Sequence, residues 1–268
     1  MMFLLFLSFI SIKITSILGT FIKDLKSIIW LLFIKVIALP TLVYLVFRAI
    51  YPQYALGTLL LTGVSTGVVA PFIATIVSAN ISLVLVMVVI SSIIVPITLP
   101  VLVDILVGHT IDIPLLDMMR VLSLVVFVPL FCLEFIRKLA PGFIQALDKK
   151  KFPISLMNFA IINLGVFSKY SEFFHQNPMT ILEATLVSLV LGTIYFFMGI
   201  LLFLKKALPN QLASAISLAN MNNVLVIVFS SDFFGPLEPT LAAVYMIPFF
   251  GIIFPLRIYE HRRFPHDR

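Results

Sequence analysis

The sequence predicts an all-α polytopic membrane protein with about nine transmembrane helices. Three observations carry that expectation. Of the 268 residues, 61% are hydrophobic and only 11% are charged, whereas a soluble domain carries roughly a quarter charged residues. The mean hydropathy is +1.17, and the apolar residues gather into runs of about 20, the length that crosses a bilayer as a helix. Most Lys and Arg residues stand in the short stretches between those runs. The formal charge of +6 therefore reads as a topology signal; no nucleic-acid partner is expected, and membrane lipid is.

Taken in order, the segments are 2–22, 28–50, 55–80, 81–107, 113–136, 153–168, 178–204, 211–231 and 236–257. The first has neither a basic start nor a small-residue cleavage site, so it reads as a helix rather than a signal peptide. It contains Lys13, which packs or snorkels. The second holds Lys35, five residues before Pro40. The third contains "TGVSTGVVAPF", from Thr62 to Phe72. There Gly63 and Gly67 weaken a helix interior, and Pro71 removes a backbone donor. The fourth carries Pro96 and Pro100. In the fifth, Asp117 and Arg120 are three apart on one helix face, a spacing that suits a local ion pair.

The stretch "RKLAPGFIQALDKKKFP" (137–153) is the longest polar one. It divides the chain into 1–136, the first repeat of four helices plus the first helix of a second repeat; 137–152, a cytoplasmic linker; and 153–268, the remainder of the second repeat with a basic cytoplasmic tail. The sixth segment is short. The seventh has Glu183 in its first turns, where the helix dipole favours a carboxylate. The eighth carries Asn220, Asn222 and Asn223 near its middle, and three amides within four residues do not face one side of a regular helix. The ninth holds Pro248 and Pro255.

Orientation follows from the basic residues. Lys23, Lys26, Arg137, Lys138, Lys149, Lys150, Lys151, Lys205, Lys206, Arg257, Arg262, Arg263 and Arg268 fall on one side, thirteen in all, against Arg48 and Lys169 on the other. Lys13, Lys35 and Arg120 lie inside segments. The bias puts the C-terminus in the cytoplasm and, with nine helices, the N-terminus outside, as for a bacterial-type inner-membrane protein.

The third and eighth segments then run in opposite directions, and each is interrupted and followed by a proline-containing helix. An unpaired backbone group in hydrocarbon costs several kcal/mol, so such breaks persist where protein, ligand or a water-filled cavity satisfies them. Two interrupted helices at corresponding positions of two halves point to an inverted-repeat transporter with its site where the breaks meet. Close helix packing through Gly63 and Gly67 is the alternative reading of the third segment.

Cysteine and histidine exclude other chemistries. Cys132 stands alone, so no internal disulfide or Cys-rich metal site forms. His109, His175, His261 and His266 have no ligand spacing, and no metal or cofactor is expected from the residues. No H-E-x-x-H metalloprotease motif is present, and an enzyme is not expected.

The stretches "FLSFISIKIT", "YALGTLLLTGVSTG", "SANISLVLVMVVISSIIVPITLPVLV" and "NMNNVLVIVFSSDFFGPLEPTLAAVYMIP" resemble the bile acid:sodium symporter family, within the bile, arsenite and riboflavin type of transporter superfamily, as a divergent member. The resemblance covers nearly the whole chain. It implies two inverted five-helix repeats, here with the first helix of the ten-helix fold missing, a panel group, and a core group with two broken crossing helices. It further implies transport of a small organic anion coupled to sodium. The departures bear on coupling. Where the family carries Ser-Asn, this chain has Ala70-Pro71; the family's glutamate before the second crossover falls at Leu218; its glutamine before the first crossover falls at Lys35. Ser91 and Ser92 remain as hydroxyl ligands, and Asn222 stands for another glutamine. The sodium sites thus lose oxygens, which hard cations need in number, and sodium, though possible, loses part of its usual ligand set. Lys35 brings a charge, and its proton is a candidate coupling ion. The other reading of Lys35 is snorkelling, because it stands about seven residues, near 10 Å, from one helix end.

The expected function is a symporter-like secondary transporter of a small organic anion, with Ser65, Thr66, Lys35, Ser91, Ser92, Asn220, Asn222 and Asn223 at the site. The alternatives are an efflux carrier of the auxin-carrier type and a non-transporting scaffold or receptor-like relic. Uptake into proteoliposomes separates transport from the last.

Overall fold

The computed structural model describes residues 2–10, 19, 24–108 and 114–263. Lys13, Lys23, His109, His266 and Arg268 lie outside the described residues, as does most of the second half of the first expected segment. Every regular element among the described residues is helical. In chain order these are α1 (Met2–Ile10), α2 (Leu25–Ile50), α3 (Ala55–Gly63), α4 (Ala70–Ile76), α5 (Ile81–Val107), α6 (Leu115–Leu139), α7 (Pro141–Lys169), α8 (Ser171–Gln176), α9 (Pro178–Leu202), α10 (Leu208–Ala219), α11 (Asn223–Phe233) and α12 (Leu237–Arg262). Six of them, α2, α5, α6, α7, α9 and α12, are long and apolar enough to cross a membrane.

The two expected interruptions are present. The third segment stops at Gly63 and restarts at Ala70, and the eighth stops at Ala219 and restarts at Asn223. The two pairs run in opposite directions. At one end the Asn80 side chain donates to Asn210 Oδ1 at 2.7 Å, which joins the exit of α4 to the entry of α10. At the other, a β-carbon on Gly57 of α3 would sit 3.1 Å from Leu241 of α12, just past the exit of α11.

Helices α1, α6 and α7 lie against each other, and α6 packs along α5 as extensively as along α1; α2 to α5 and α9 to α12 pack together. The buried apolar core is shared between them.

Several local expectations are corrected. The polar stretch at 137–152 is largely helical: α6 runs on to Leu139, and α7 opens at Pro141 after a break at Ala140. Pro141 suits the first helical turn, where no backbone donor is needed. Lys151 pairs with Asp148 at 2.8 Å along the helix surface. The resulting 29-residue helix is roughly 44 Å long at 1.5 Å per residue, so its polar third extends beyond a 30 Å hydrocarbon layer. Charge ended the apolar run without ending the helix. The third segment ends at Ile76 rather than 80, because Ser78 turns the chain with φ 49° and Asn80 caps α5 by accepting from the Leu83 N–H at 3.1 Å. Asp117 and Arg120 form no ion pair among the described residues. Both are exposed, where such pairs contribute little.

Inside α2 the helix widens to a π turn over Ile34–Ala38, with the Leu39 N–H reaching the carbonyl of Ile34. Pro40 follows immediately. Its ring crowds the carbonyl four residues back and offers no donor, and a π turn is one way a helix absorbs such a defect. The widened turn carries Lys35.

Candidate functional site where the broken helices cross

The non-helical residues of the two broken helices lie against each other as a short antiparallel pair, bridged at Thr66 and Met221. The Gly67 N–H donates to the Asn220 carbonyl at 2.6 Å, and the Asn222 N–H donates to the Ser65 carbonyl at 2.9 Å. Backbone groups freed by each break are thus satisfied by the other, which meets the demand that low-dielectric surroundings impose. Side chains complete the accounting. Ser91 Oγ on α5 accepts from the Thr66 N–H at 3.0 Å. Thr66 Oγ1 donates to the Ser217 carbonyl at 2.8 Å, and Tyr245 Oη donates to the Ala219 carbonyl at 2.6 Å.

Glycine at position 67 is a geometric requirement. A β-carbon there would sit 2.8 Å from the Phe249 ring, 3.0 Å from the Met221 carbonyl oxygen and 3.1 Å from that of Asn220. At Gly63 it would meet Leu99 at 2.9 Å. The small residues of the third segment therefore serve both close packing and the crossing itself.

The three asparagines point to three places. Asn220 donates to the Phe249 carbonyl at 2.8 Å. Asn222 donates to Ser65 Oγ at 3.2 Å, and its Oδ1 caps α11 by accepting from the Leu225 N–H at 3.3 Å. Asn223 donates to the Ala242 carbonyl of α12 at 3.0 Å. All three are buried. Asn220 Oδ1 and the hydroxyl of Ser92 have no hydrogen-bond partner among the described residues.

Lys35 reaches the same place from α2. It is fully buried, and its Nζ donates to the carbonyl oxygen of Leu218 at 3.2 Å. The ammonium also lies 5.5 Å from the centre of the Tyr195 ring of α9, within the range of a cation–π contact. The snorkelling alternative is thereby corrected: Nζ turns inward to a carbonyl in the last turn of α10. The structure thus brings Lys35, Ser65, Thr66, Ser91, Asn220 and Asn222 together. The amides of Asn220 and Asn223 both reach carbonyls of α12.

The site also includes residues the sequence did not single out. Ser217 contributes a carbonyl, Tyr245 a hydroxyl, Tyr195 a ring and Phe249 both ring and carbonyl. Carbonyl partners carry no residue signature. The two tyrosines, buried polar-tipped rings in apolar helices, were the available signal.

This architecture agrees with a family model that matches residues 1–232, that of the SBF-like CPA transporter family, related to the bile acid:sodium symporters. The chain belongs to that family. It is accordingly a membrane-embedded protein of a transporter family, with a crossing point of the kind such a fold is built around. No curated protein matches the chain.

Elsewhere, Glu183 of α9 sits at the end of the helices where α2 gives way to α3. It accepts from Gln53 Nε2 at 3.2 Å and from Tyr54 Oη at 3.3 Å. Among the described residues, no cluster of His, Cys, Asp and Glu is arranged to hold a metal ion.

Proposed function

We propose that the protein is a secondary transporter that moves a small organic anion by alternating access, with Lys35 taking the position of a bound sodium ion. The observation that carries this reading is the Lys35 ammonium at the crossing of the two broken helices, 3.2 Å from the Leu218 carbonyl. A cation within membrane helices is costly and marks function by default. Here it stands beside unwound backbone carbonyls, the groups that hold cations in broken-helix transporters. Asn220 Oδ1, Ser92 Oγ and Ser217 Oγ, without partners among the described residues, are polar atoms available to a substrate or water. Ser65, Thr66, Ser91 and Asn222 fix the backbone around them, and Asn223 anchors α11.

A cavity of about 210 Å³ lies between α4 and the start of α5 on one side and α1 and α7 on the other, with Leu7, Val69, Pro71, Phe72 and Phe152 in its wall. Lys151, whose ammonium also meets Asp148, and Ser155 line the same cavity. Apolar walls with few polar groups suit a compact anion with an apolar body. In this reading α1, α6 and α7 form one moving unit and the remaining helices the other. The protein lies in a bacterial-type inner membrane with its N-terminus outside and its C-terminus in the cytoplasm, following the thirteen-to-two distribution of basic residues.

The test is uptake by the purified protein in proteoliposomes, using a panel of small labelled carboxylates with sodium present or replaced by choline. The expected result is accumulation of at least one carboxylate that persists without sodium. Strict sodium dependence would overturn the role given to Lys35. A folded preparation that moves no member of the panel in either direction would favour a scaffold over a carrier.

A further inference from the structure

We infer that the groove between the start of α2 and the end of α9 binds an anionic phospholipid. This inference is independent of the transport reading. The groove has a volume of about 870 Å³ and joins two unlike surfaces. Lys26 and Lys206 supply ammonium groups, and neither has an ion-pair or hydrogen-bond partner for its side chain among the described residues. Ile29, Trp30, Phe33 and Leu202 supply an apolar wall. Trp30 is 55% exposed and Ile29 53%, and the Trp30 and Phe33 rings stack at 5.8 Å.

The basic side of the groove is held in place. Gln211 Nε2 donates to the carbonyls of Leu204 at 3.1 Å and Lys206 at 2.7 Å. Tyr259 Oη in turn donates to Gln211 Oε1 at 2.6 Å. The turn that carries Lys206 is thus tied to both α10 and α12. Both lysines belong to the basic-rich side of the chain. The occupant that matches this pairing has a phosphate for the two ammonium groups and an acyl chain for the wall. A basic pocket between transmembrane helices recognises an anionic headgroup in this way. A zwitterionic lipid brings an additional cation that neither lysine can accept, and a free phosphate leaves the apolar wall uncovered.

Trp30 is the single tryptophan of the chain, so its fluorescence reports on this groove. The experiment titrates the delipidated full-length protein in detergent with phosphatidylglycerol or phosphatidylcholine carrying brominated acyl chains, and follows quenching of Trp30. Phosphatidylglycerol is expected to quench at a concentration lower by on the order of tenfold. The Lys26→Gln, Lys206→Gln double variant is expected to lose that difference, and the corresponding double arginine variant to retain it. Thermal unfolding in phosphatidylcholine checks that both variants are folded. Equal quenching by the two lipids would overturn the inference, as would a preference that survives in the folded double glutamine variant. Reversal of the phosphatidylglycerol effect by millimolar inorganic phosphate would also overturn it, because the groove would then be reading a free anion.

Discussion

The ammonium of Lys35 and the carbonyl oxygen of Leu218 are 183 positions apart in the chain and 3.2 Å apart in space. That contact ties the widened π turn of α2 to the last turn of α10, beside the antiparallel pair at Thr66 and Met221. Replacing Lys35 with Ala leaves a buried carbonyl without its donor, a loss of about 1–3 kcal/mol. Lys35→Ala is expected to lower the thermal midpoint in detergent and to abolish uptake. Lys35→Gln retains a donor without the charge, so it should recover stability but restore uptake only partly. Wild-type uptake in Lys35→Ala would sink the assignment.

Gly67 separates crossing geometry from general packing. A methyl group there would press on Phe249 and on two carbonyl oxygens, so Gly67→Ala is expected to destabilise by about 1–3 kcal/mol, the usual cost of overpacking. Gly165 in α7 has nothing within 4 Å of its would-be β-carbon. Gly165→Ala should be neutral or stabilising by up to about 1 kcal/mol. Equal effects at the two positions in thermal or denaturant unfolding would count against the described crossing.

Asn222 holds two elements at once. Its amide reaches Ser65 Oγ and its oxygen caps α11. Asn222→Ala is expected to cost about 0.5–2 kcal/mol from the cap alone, with a further coupling to Ser65. In a double-mutant cycle Ser65→Ala and Asn222→Ala should be non-additive by more than about 0.5 kcal/mol. Strict additivity would mean that the side-chain contact contributes nothing.

Topology can be checked without a substrate. A fluorescent protein fused after Arg268 should fluoresce, and a phosphatase at the same point should be inactive, because the fusion stays in the cytoplasm. Active phosphatase there would reverse the orientation.

The broken helices were legible because their cause is local. Gly63, Gly67 and Pro71 disfavour helix wherever they stand, and three asparagines in four positions do the same near Asn222. Helix α5 was legible for the same kind of reason: a long apolar run bounded by Asn80 and Gly108. The start of α7 was not, because Lys149, Lys150 and Lys151 end an apolar run without ending a helix. Polarity reports which surroundings a residue can enter, and a helix can continue from lipid into water.

Sequence alone thus determined the class of structure and the two points at which helices had to break. Each follows from composition and from what a backbone without water must satisfy. Tertiary structure decided where the freed groups went. The Leu218 carbonyl, the Ser217 carbonyl and the Tyr195 ring become partners of Lys35 and Thr66 only when segments 151 to 183 positions away are folded against them. A carbonyl is the same at every residue, so no pattern in the chain announces which one a buried ammonium will find.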